Sequence, residues 1–100
     1  MMSGAPPTRT VRSMGIVGGE TASLARLEAA VARRGAELEA LRAALSAEVA
    51  ATEWRGAAAD RFRSAWREEH EPALRRLEVG LHEAALEVAR RRAALDEAGS

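Results

Sequence analysis

The sequence predicts an all-α protein, an antiparallel helical hairpin that pairs with a second hairpin into a four-helix bundle dimer. The 100-residue chain is built mainly from Ala, Leu, Glu and Arg, which favour helix over sheet. Two apolar stripes with helical spacing flank one short link around Gly56. The stripes are wide, and a lone two-helix hairpin cannot shield both sides of its seam. A partner hairpin is therefore expected to cover them.

The first segment, residues 1–19, is predicted to be a flexible tail. It contains Pro6-Pro7 and four glycines, which disfavour regular structure. Its longest near-apolar run, Met14 to Val17, is too short for a signal-peptide core or a membrane span. We therefore expect neither a cleaved signal peptide nor stable membrane insertion.

Helix one is predicted over about residues 21–51, with Thr21 or Ser23 as its N-cap and no internal proline. Arg34 and Glu48 interrupt its apolar stripe, which mildly suggests a complementary partner, although a homodimer could place both residues at its ends. Spacings of three, four and seven residues put the stripe on one side of the helix. Its members are Leu24, Leu27, Val31, Leu38, Leu41, Leu45 and Thr52.

Helix two is predicted over about residues 57–97, after a turn at residues 52–56, and a short tail covers residues 98–100. Pro72 lies inside the pattern and is expected to kink the helix rather than end it, because the flanks remain strongly periodic. Residues 20–97 thus form one hairpin domain. The stripe of helix two consists of Phe62, Trp66, Ala73, Leu77, Leu81, Val88 and Leu95.

All three aromatic residues lie close to Gly56. Gly56 permits a tight or left-handed backbone in the turn. Trp54 can lay its indole over the first turn of helix two, and Phe62 and Trp66, four residues apart, share one helix face. The aromatic residues are therefore expected to close one end of the bundle. The simpler interpretation, that they are only core residues at this end, is compatible with a recognition role.

Trp54-Arg55-Gly56 followed by Phe62 and Trp66 resembles the signature of the WXG family, the hundred-residue Trp-X-Gly proteins related to the ESAT and CFP antigens of mycobacteria. The chain also resembles this family in its length, in the central position of the motif and in the amphipathic helix on either side. The resemblance covers about residues 20–97. It implies helical hairpins that dimerise with themselves or a sister protein, and export through a type VII (ESX-type) secretion system without catalysis. Trp54 and Gly56 would then belong to the export signal.

Family members often carry a second signal, Tyr-x-x-x-Asp/Glu, beyond helix two. This chain has no Tyr, and the stretch Arg92-Ala-Ala-Leu-Asp96 keeps the acid with Arg at the Tyr position. The resemblance then implies that a partner, such as a larger co-secreted protein, carries the intact signal. The expected location is outside the cell, with a cytosolic pool before export.

The remaining residues favour recognition over chemistry. Fifteen arginines offset fifteen acidic residues, so there is no basic field for nucleic acid. His70 and His82 are twelve residues apart and do not form an i, i+4 metal pair. No nucleophile, base and orienting group occur together, so we expect no enzyme activity, cofactor or metal. Two alternatives stay open, a cytosolic adaptor that delivers a larger type VII substrate such as a toxin, and a plain structural coiled-coil module.

Overall fold

The protein folds as two helical arms that run antiparallel to each other. The computed structural model describes residues 9–99, and the side chains of residues 18–99. Helices are the only regular structure in this part of the chain, so the predicted all-α class and the two-arm hairpin are confirmed. The first arm is helix α1 (Arg9–Ala51), and the second consists of α2 (Ala57–Ala65), a π-helical turn (Trp66–His70) and α3 (Glu71–Gly99).

The first arm begins earlier than the sequence predicts. Residues 9–19, expected to belong to a flexible tail, are helical, while residues 1–8 lie outside the described part of the chain. Extending an existing helix adds one hydrogen bond per residue without a new nucleation cost, which offsets the unfavourable propensity of the glycines in this segment. At the other terminus α3 reaches Gly99, two residues beyond the predicted end.

Pro72 is accommodated by a π-helical turn directly before it. The backbone N–H of Glu71 donates to the carbonyl of Trp66, five residues earlier, as in a π-helix. Glu68, whose carbonyl a proline at position 72 would meet in a regular α-helix, lies inside this wider turn. The second arm therefore stays helical through Pro72, as expected, and its departure from regular α-helix is this π-helical turn.

The seam between the arms repeats every seven residues, and its aliphatic side chains are half-buried. Ion pairs joining Glu28 to Arg92 and Arg42 to Glu78 fix the register of the arms. In this register the aliphatic residues stand opposite each other at four levels. The four pairs are Leu24 with Leu95, Val31 with Val88, Leu38 with Leu81, and Leu45 with Leu74.

Charged or small residues separate these aliphatic levels. Between the two ion-paired levels stands Gly35, where an added Cβ would lie 3.6 Å from the Cβ of Leu81. An added methyl group would therefore be in ordinary van der Waals contact with Leu81, so the space at Gly35 does not by itself require glycine. The resulting core is thin, since Ala59 is the one apolar residue that is buried among the described side chains.

Three leucines of the predicted stripes lie beside the seam rather than in it. Leu27, Leu41 and Leu77 are 47%, 54% and 51% exposed. Each directly precedes a charged residue that faces the other arm. Because the arms are antiparallel, residues that precede inward-facing positions project from the same side of the hairpin on both arms. Arg34 and Ala84 also hold such positions. We call these five residues the leucine face. The stripes therefore divide into a seam half, which the hairpin covers, and a half that it leaves uncovered.

The opposite side of the hairpin also exposes apolar side chains, among them Val79, which is 57% exposed. A groove of about 400 Å³ runs there between the arms and includes Ala32, Ala36, Val79 and His82 in its lining. Leu86, which follows the inward-facing Ala85, also projects on this side and is 46% exposed. Leu86 is therefore a matched control position for substitutions on the leucine face.

Candidate recognition site at the hinge

The hinge is the five-residue link between α1 and α2, and it ends at Gly56. Gly56 has φ 111° and ψ 180° and is the one described residue with a positive φ. This backbone conformation is open to glycine and strained for other residues. The Gly56 carbonyl accepts a hydrogen bond from the backbone N–H of Asp60 at 3.0 Å, which starts α2. The chain therefore reverses direction at the glycine of the Trp-x-Gly motif.

Arg63 fastens the link to α2. Its guanidinium donates to the carbonyls of Val49 at 3.2 Å, Thr52 at 2.7 Å and Trp54 at 2.9 Å. Carbonyls at the end of α1 have no helical N–H partner and form the negative end of the helix dipole. One cation thus satisfies three acceptors and fixes the path of the turn. The sequence does not single out Arg63, because nothing in its spacing separates it from the other arginines.

Trp54 and Phe62 form an exposed aromatic pair at the tip of the hairpin. Their ring centroids are 5.8 Å apart and the rings are tilted by 49°. The two side chains are 43% and 44% exposed. Trp54 thus contacts the second turn of α2, one turn beyond the expected position. The pair presents an apolar surface whose position is set by Gly56 and Arg63.

Trp66 has a different environment from Phe62, although the sequence predicts that the two act together. The indole Nε1 of Trp66 donates to Ser46 Oγ at 3.1 Å, and the ring is half-buried against α1. Trp66 therefore joins the two arms where the π-helical turn begins. Of the two residues, Phe62 is the one that contributes to the exposed surface with Trp54.

An ionic cluster lies further along the seam from the hinge. Arg42, only 8% exposed, donates through Nε to Glu78 and through a terminal nitrogen to Glu71 at 3.2 Å. Arg75 also donates to Glu71, at 3.1 Å. The hydrogen bond from Arg75, assisted by the charges of Arg75 and Arg42, lowers the pKa of Glu71. The hydrogen bond that Arg42 donates to Glu78 raises the pKa of Arg42. Glu71 thus serves as the shared ion-pair partner of two arginines.

At the far end of the seam, Arg92 has an internal partner. Its Nε and one terminal nitrogen donate to the same Glu28 oxygen, at 3.1 and 2.7 Å. Asp96, the acidic residue of the Arg92-Ala-Ala-Leu-Asp96 stretch, is exposed on the next turn. Arg92 therefore contributes to the hairpin seam.

The described residues contain no group of three or more His, Cys, Asp or Glu side chains arranged to hold a metal ion. His70 lies in the π-helical turn, and His82 lines the groove on the opposite side from the leucines. None of the described helices is long and apolar enough to cross a membrane.

No protein-family model, curated protein or solved structure matches this chain. The candidate site is therefore defined by the geometry of the hinge residues themselves. It consists of the turn at Gly56, the clamp made by Arg63 and the exposed pair of Trp54 and Phe62.

The Arg63 clamp leads to a first testable prediction. Arg63→Lys keeps the charge but cannot reach three carbonyls, so we expect a loss of about 1–2 kcal/mol in the free energy of unfolding. Urea unfolding followed by circular dichroism measures the loss, and Trp fluorescence should report a more solvated Trp54. Arg61→Lys, at an exposed position two residues earlier, is the matched control and should be neutral. Equal stability of the two variants would contradict the clamp.

Proposed function

We propose that this protein is a small, non-catalytic recognition protein of a type VII secretion system, which pairs with a second hairpin and is exported. The observation that carries the proposal is the hinge. A Trp-x-Gly turn with a glycine-only backbone holds Trp54 and Phe62 exposed at the tip of the molecule. Exposed aromatic residues held in a fixed position are typical anchors of protein–protein recognition. The resemblance to the WXG family supplies the partner, the secretion machinery.

The second part of the proposal is assembly. The hairpin seam covers only part of the apolar stripes, and Leu27, Leu41 and Leu77 remain about half exposed. A second hairpin on this face would complete a four-helix bundle and remove these side chains from water. The partner is a second copy or a sister chain with the same motif.

Export is tested by comparing Trp54→Ala with the wild-type chain in culture filtrates, with and without the type VII ATPase. We expect the wild-type chain in the filtrate only when the ATPase is present. Trp54→Ala should remain in the cell while keeping its helicity, because its ring is exposed and its loss leaves the seam intact. Leu86→Ala removes a similarly exposed apolar side chain far from the hinge and should be exported normally. Normal export of Trp54→Ala would contradict the role of the hinge.

A second candidate function is a cytosolic adaptor that delivers a larger type VII substrate such as a toxin. The observation that favours it is the ion pair of Arg92 with Glu28, which gives the residue at the Tyr position an internal role. An adaptor would stay in the cell in the presence and absence of the ATPase and would co-purify with the larger protein. Export of the chain together with its partner would favour the first proposal instead.

A further inference from the structure

We infer that the hairpin has a bending point halfway along its two arms, at the level of Gly35 and Gly80. This inference concerns the motion of the hairpin and does not depend on the proposed function. Three properties of this level carry it: glycines that packing does not require, a thin seam, and ion pairs that hold the arms together on both sides of it. The bending point divides the molecule into a half that carries the hinge and a half that carries the ends of the arms.

The glycines at this level are not required by their surroundings. Apart from Gly56 in the hinge, Gly35 and Gly80 are the glycines of the chain between residues 20 and 98. Gly56 alone among the described residues has a positive φ, so both arm glycines have a backbone that alanine adopts readily. A Cβ added at Gly35 would lie 3.6 Å from the Cβ of Leu81, an ordinary contact, and one added at Gly80 would meet no atom within 4 Å. Because alanine would favour the closed helix by roughly two- to five-fold, the glycines weaken both arms without a packing reason.

The two glycines lie at almost the same level of the hairpin. The register of the arms places Gly35 opposite Ala85. Gly80 directly precedes Leu81, which stands opposite Leu38, three residues from Gly35. The weakest helical points of the two arms are thus about one turn apart, or roughly 7 Å along the hairpin. When both helices yield at one level, the hairpin bends there, whereas a single weak point would be braced by intact helix opposite.

The seam between the arms is also thin at this level. Gly35 and Ala85 together contribute one methyl group, whereas each aliphatic level of the seam contributes two larger side chains. The groove of about 400 Å³ on the side opposite the leucine face adjoins this level, and both residues line it. The stability of a contact between helices grows with the apolar area that it buries. Few apolar contacts are therefore lost when the arms bend or separate slightly here.

The levels on either side of the bending point are held by ion pairs between the arms. Glu28 pairs with Arg92 at 2.7 Å, seven residues from Gly35 in one direction, and Arg42 pairs with Glu78 seven residues away in the other. These four side chains are about one-third exposed or less, so solvent screens their attraction less than that of surface pairs. A change in curvature is therefore confined to the stretch between the two ion pairs, and the two halves of the hairpin move as units.

Amide hydrogen exchange of the full chain, followed residue by residue by NMR, tests the inference. In an ordinary helical hairpin the middle of each arm is protected and the ends open first. For this chain we expect the amides of residues 35–39 and 80–84, called the mid-arm amides below, to exchange faster than those of residues 42–49. After correction for intrinsic rates, the expected difference is roughly 10-fold.

The double alanine variant, Gly35→Ala with Gly80→Ala, shows whether the glycines cause this opening. It should slow the exchange of the mid-arm amides by roughly five-fold or more, because both helices become harder to open. Gly19→Ala is the matched control. It also adds a methyl group at a helical glycine with no atom within 4 Å, but at the far end of the first arm, and should leave the mid-arm rates unchanged.

Distances between spin labels provide a second measurement, since the chain has no cysteine of its own. Labels on Ala29→Cys and Ala43→Cys span Gly35, whereas labels on Ala36→Cys and Ala50→Cys do not. Both pairs occupy exposed positions on the same side of α1 and have the same spacing, roughly 21 Å at 1.5 Å per residue. Electron paramagnetic resonance should give a broader distance distribution for the first pair, and equal widths for both pairs in the double alanine variant.

Two results in the wild-type chain would overturn the inference, mid-arm amides as protected as those of residues 42–49, and label pairs of equal width. Rapid mid-arm exchange that persists in the double alanine variant would also overturn it, because the thin seam alone would then account for the opening. Slower exchange in that variant, with unchanged mid-arm rates in Gly19→Ala, would support the two arm glycines as the origin of the bending point.

Discussion

Replacing Arg42 with alanine is expected to lower the thermal midpoint of unfolding by roughly 10 °C, one of the two largest effects of a single substitution proposed for this chain. Arg42 is almost inaccessible to water and donates to both Glu71 and Glu78. Arg42→Ala leaves Glu78 unpaired in the seam and removes one of the two arginines that contact Glu71. A partly buried carboxylate that loses its cation bears the cost of desolvation without compensation. Differential scanning calorimetry at neutral pH measures the change.

Arg34→Ala is the matched control, because it removes the same charge from the same helix. The side chains of Arg34 and Glu37 are 67% and 53% exposed, so water and salt screen their attraction. We expect a change of about 2 °C or less in the midpoint. Similar effects from the two substitutions would contradict the special role of the seam cluster.

A double substitution separates the charge of the cluster from its packing. Arg42→Leu with Glu78→Leu removes both charges and keeps apolar volume at their level of the seam, while Glu71 retains Arg75. Replacing an ion pair by packed apolar residues is often neutral or stabilising. We therefore expect the double variant to recover most of the stability lost in Arg42→Ala. If the double variant stays as unstable as Arg42→Ala, the hydrogen-bond geometry of the pair would be required for stability in addition to charge compensation.

The Arg42 cluster shows which features of the fold could be predicted from the sequence and which could not. The hairpin, the end of helix one at Ala51 and the disturbance near Pro72 all follow from local signals. Leucine spacing predicts the apolar stripes correctly as surfaces of helices. It cannot show that Arg42 points inward and Leu41 outward, because an isolated arginine in a helix is normally solvated. That assignment depends on carboxylates supplied 29 and 36 residues later in the chain.

At the hinge, too, some features can be predicted from neighbouring residues in the sequence, and others depend on contacts that only the fold creates. Gly56 and the neighbouring aromatic residues can be recognised from the sequence because the three aromatic residues of the chain all lie within ten residues of this glycine. Arg63 cannot, because its partners are backbone carbonyls, which carry no sequence signal. The separation of Phe62 from Trp66 likewise depends on Ser46, a residue that only the fold brings near.

Gly56→Ala is the other large expected effect, a loss of about 1–3 kcal/mol in the free energy of unfolding. The cost comes from the backbone alone, because a Cβ added at Gly56 meets no atom within 4 Å, whereas its φ of 111° is unfavourable for any side chain. Urea unfolding measures this loss. Trp54 fluorescence should also shift, since the turn that positions its ring against Phe62 must change.

Gly80→Ala is the matched control, because it is expected to change the free energy of unfolding in the opposite direction. Gly80 lies inside α3, and a Cβ added there also meets no atom within 4 Å, so the two substitutions add the same methyl group into open space. At Gly80 the expected result is a gain of about 0.5–1 kcal/mol, because alanine is the better helix former. Opposite signs would assign the effect at position 56 to its backbone conformation. A stabilised Gly56→Ala variant would mean that the turn does not need glycine, and the requirement for Gly in the Trp-x-Gly turn would then have to come from recognition rather than folding.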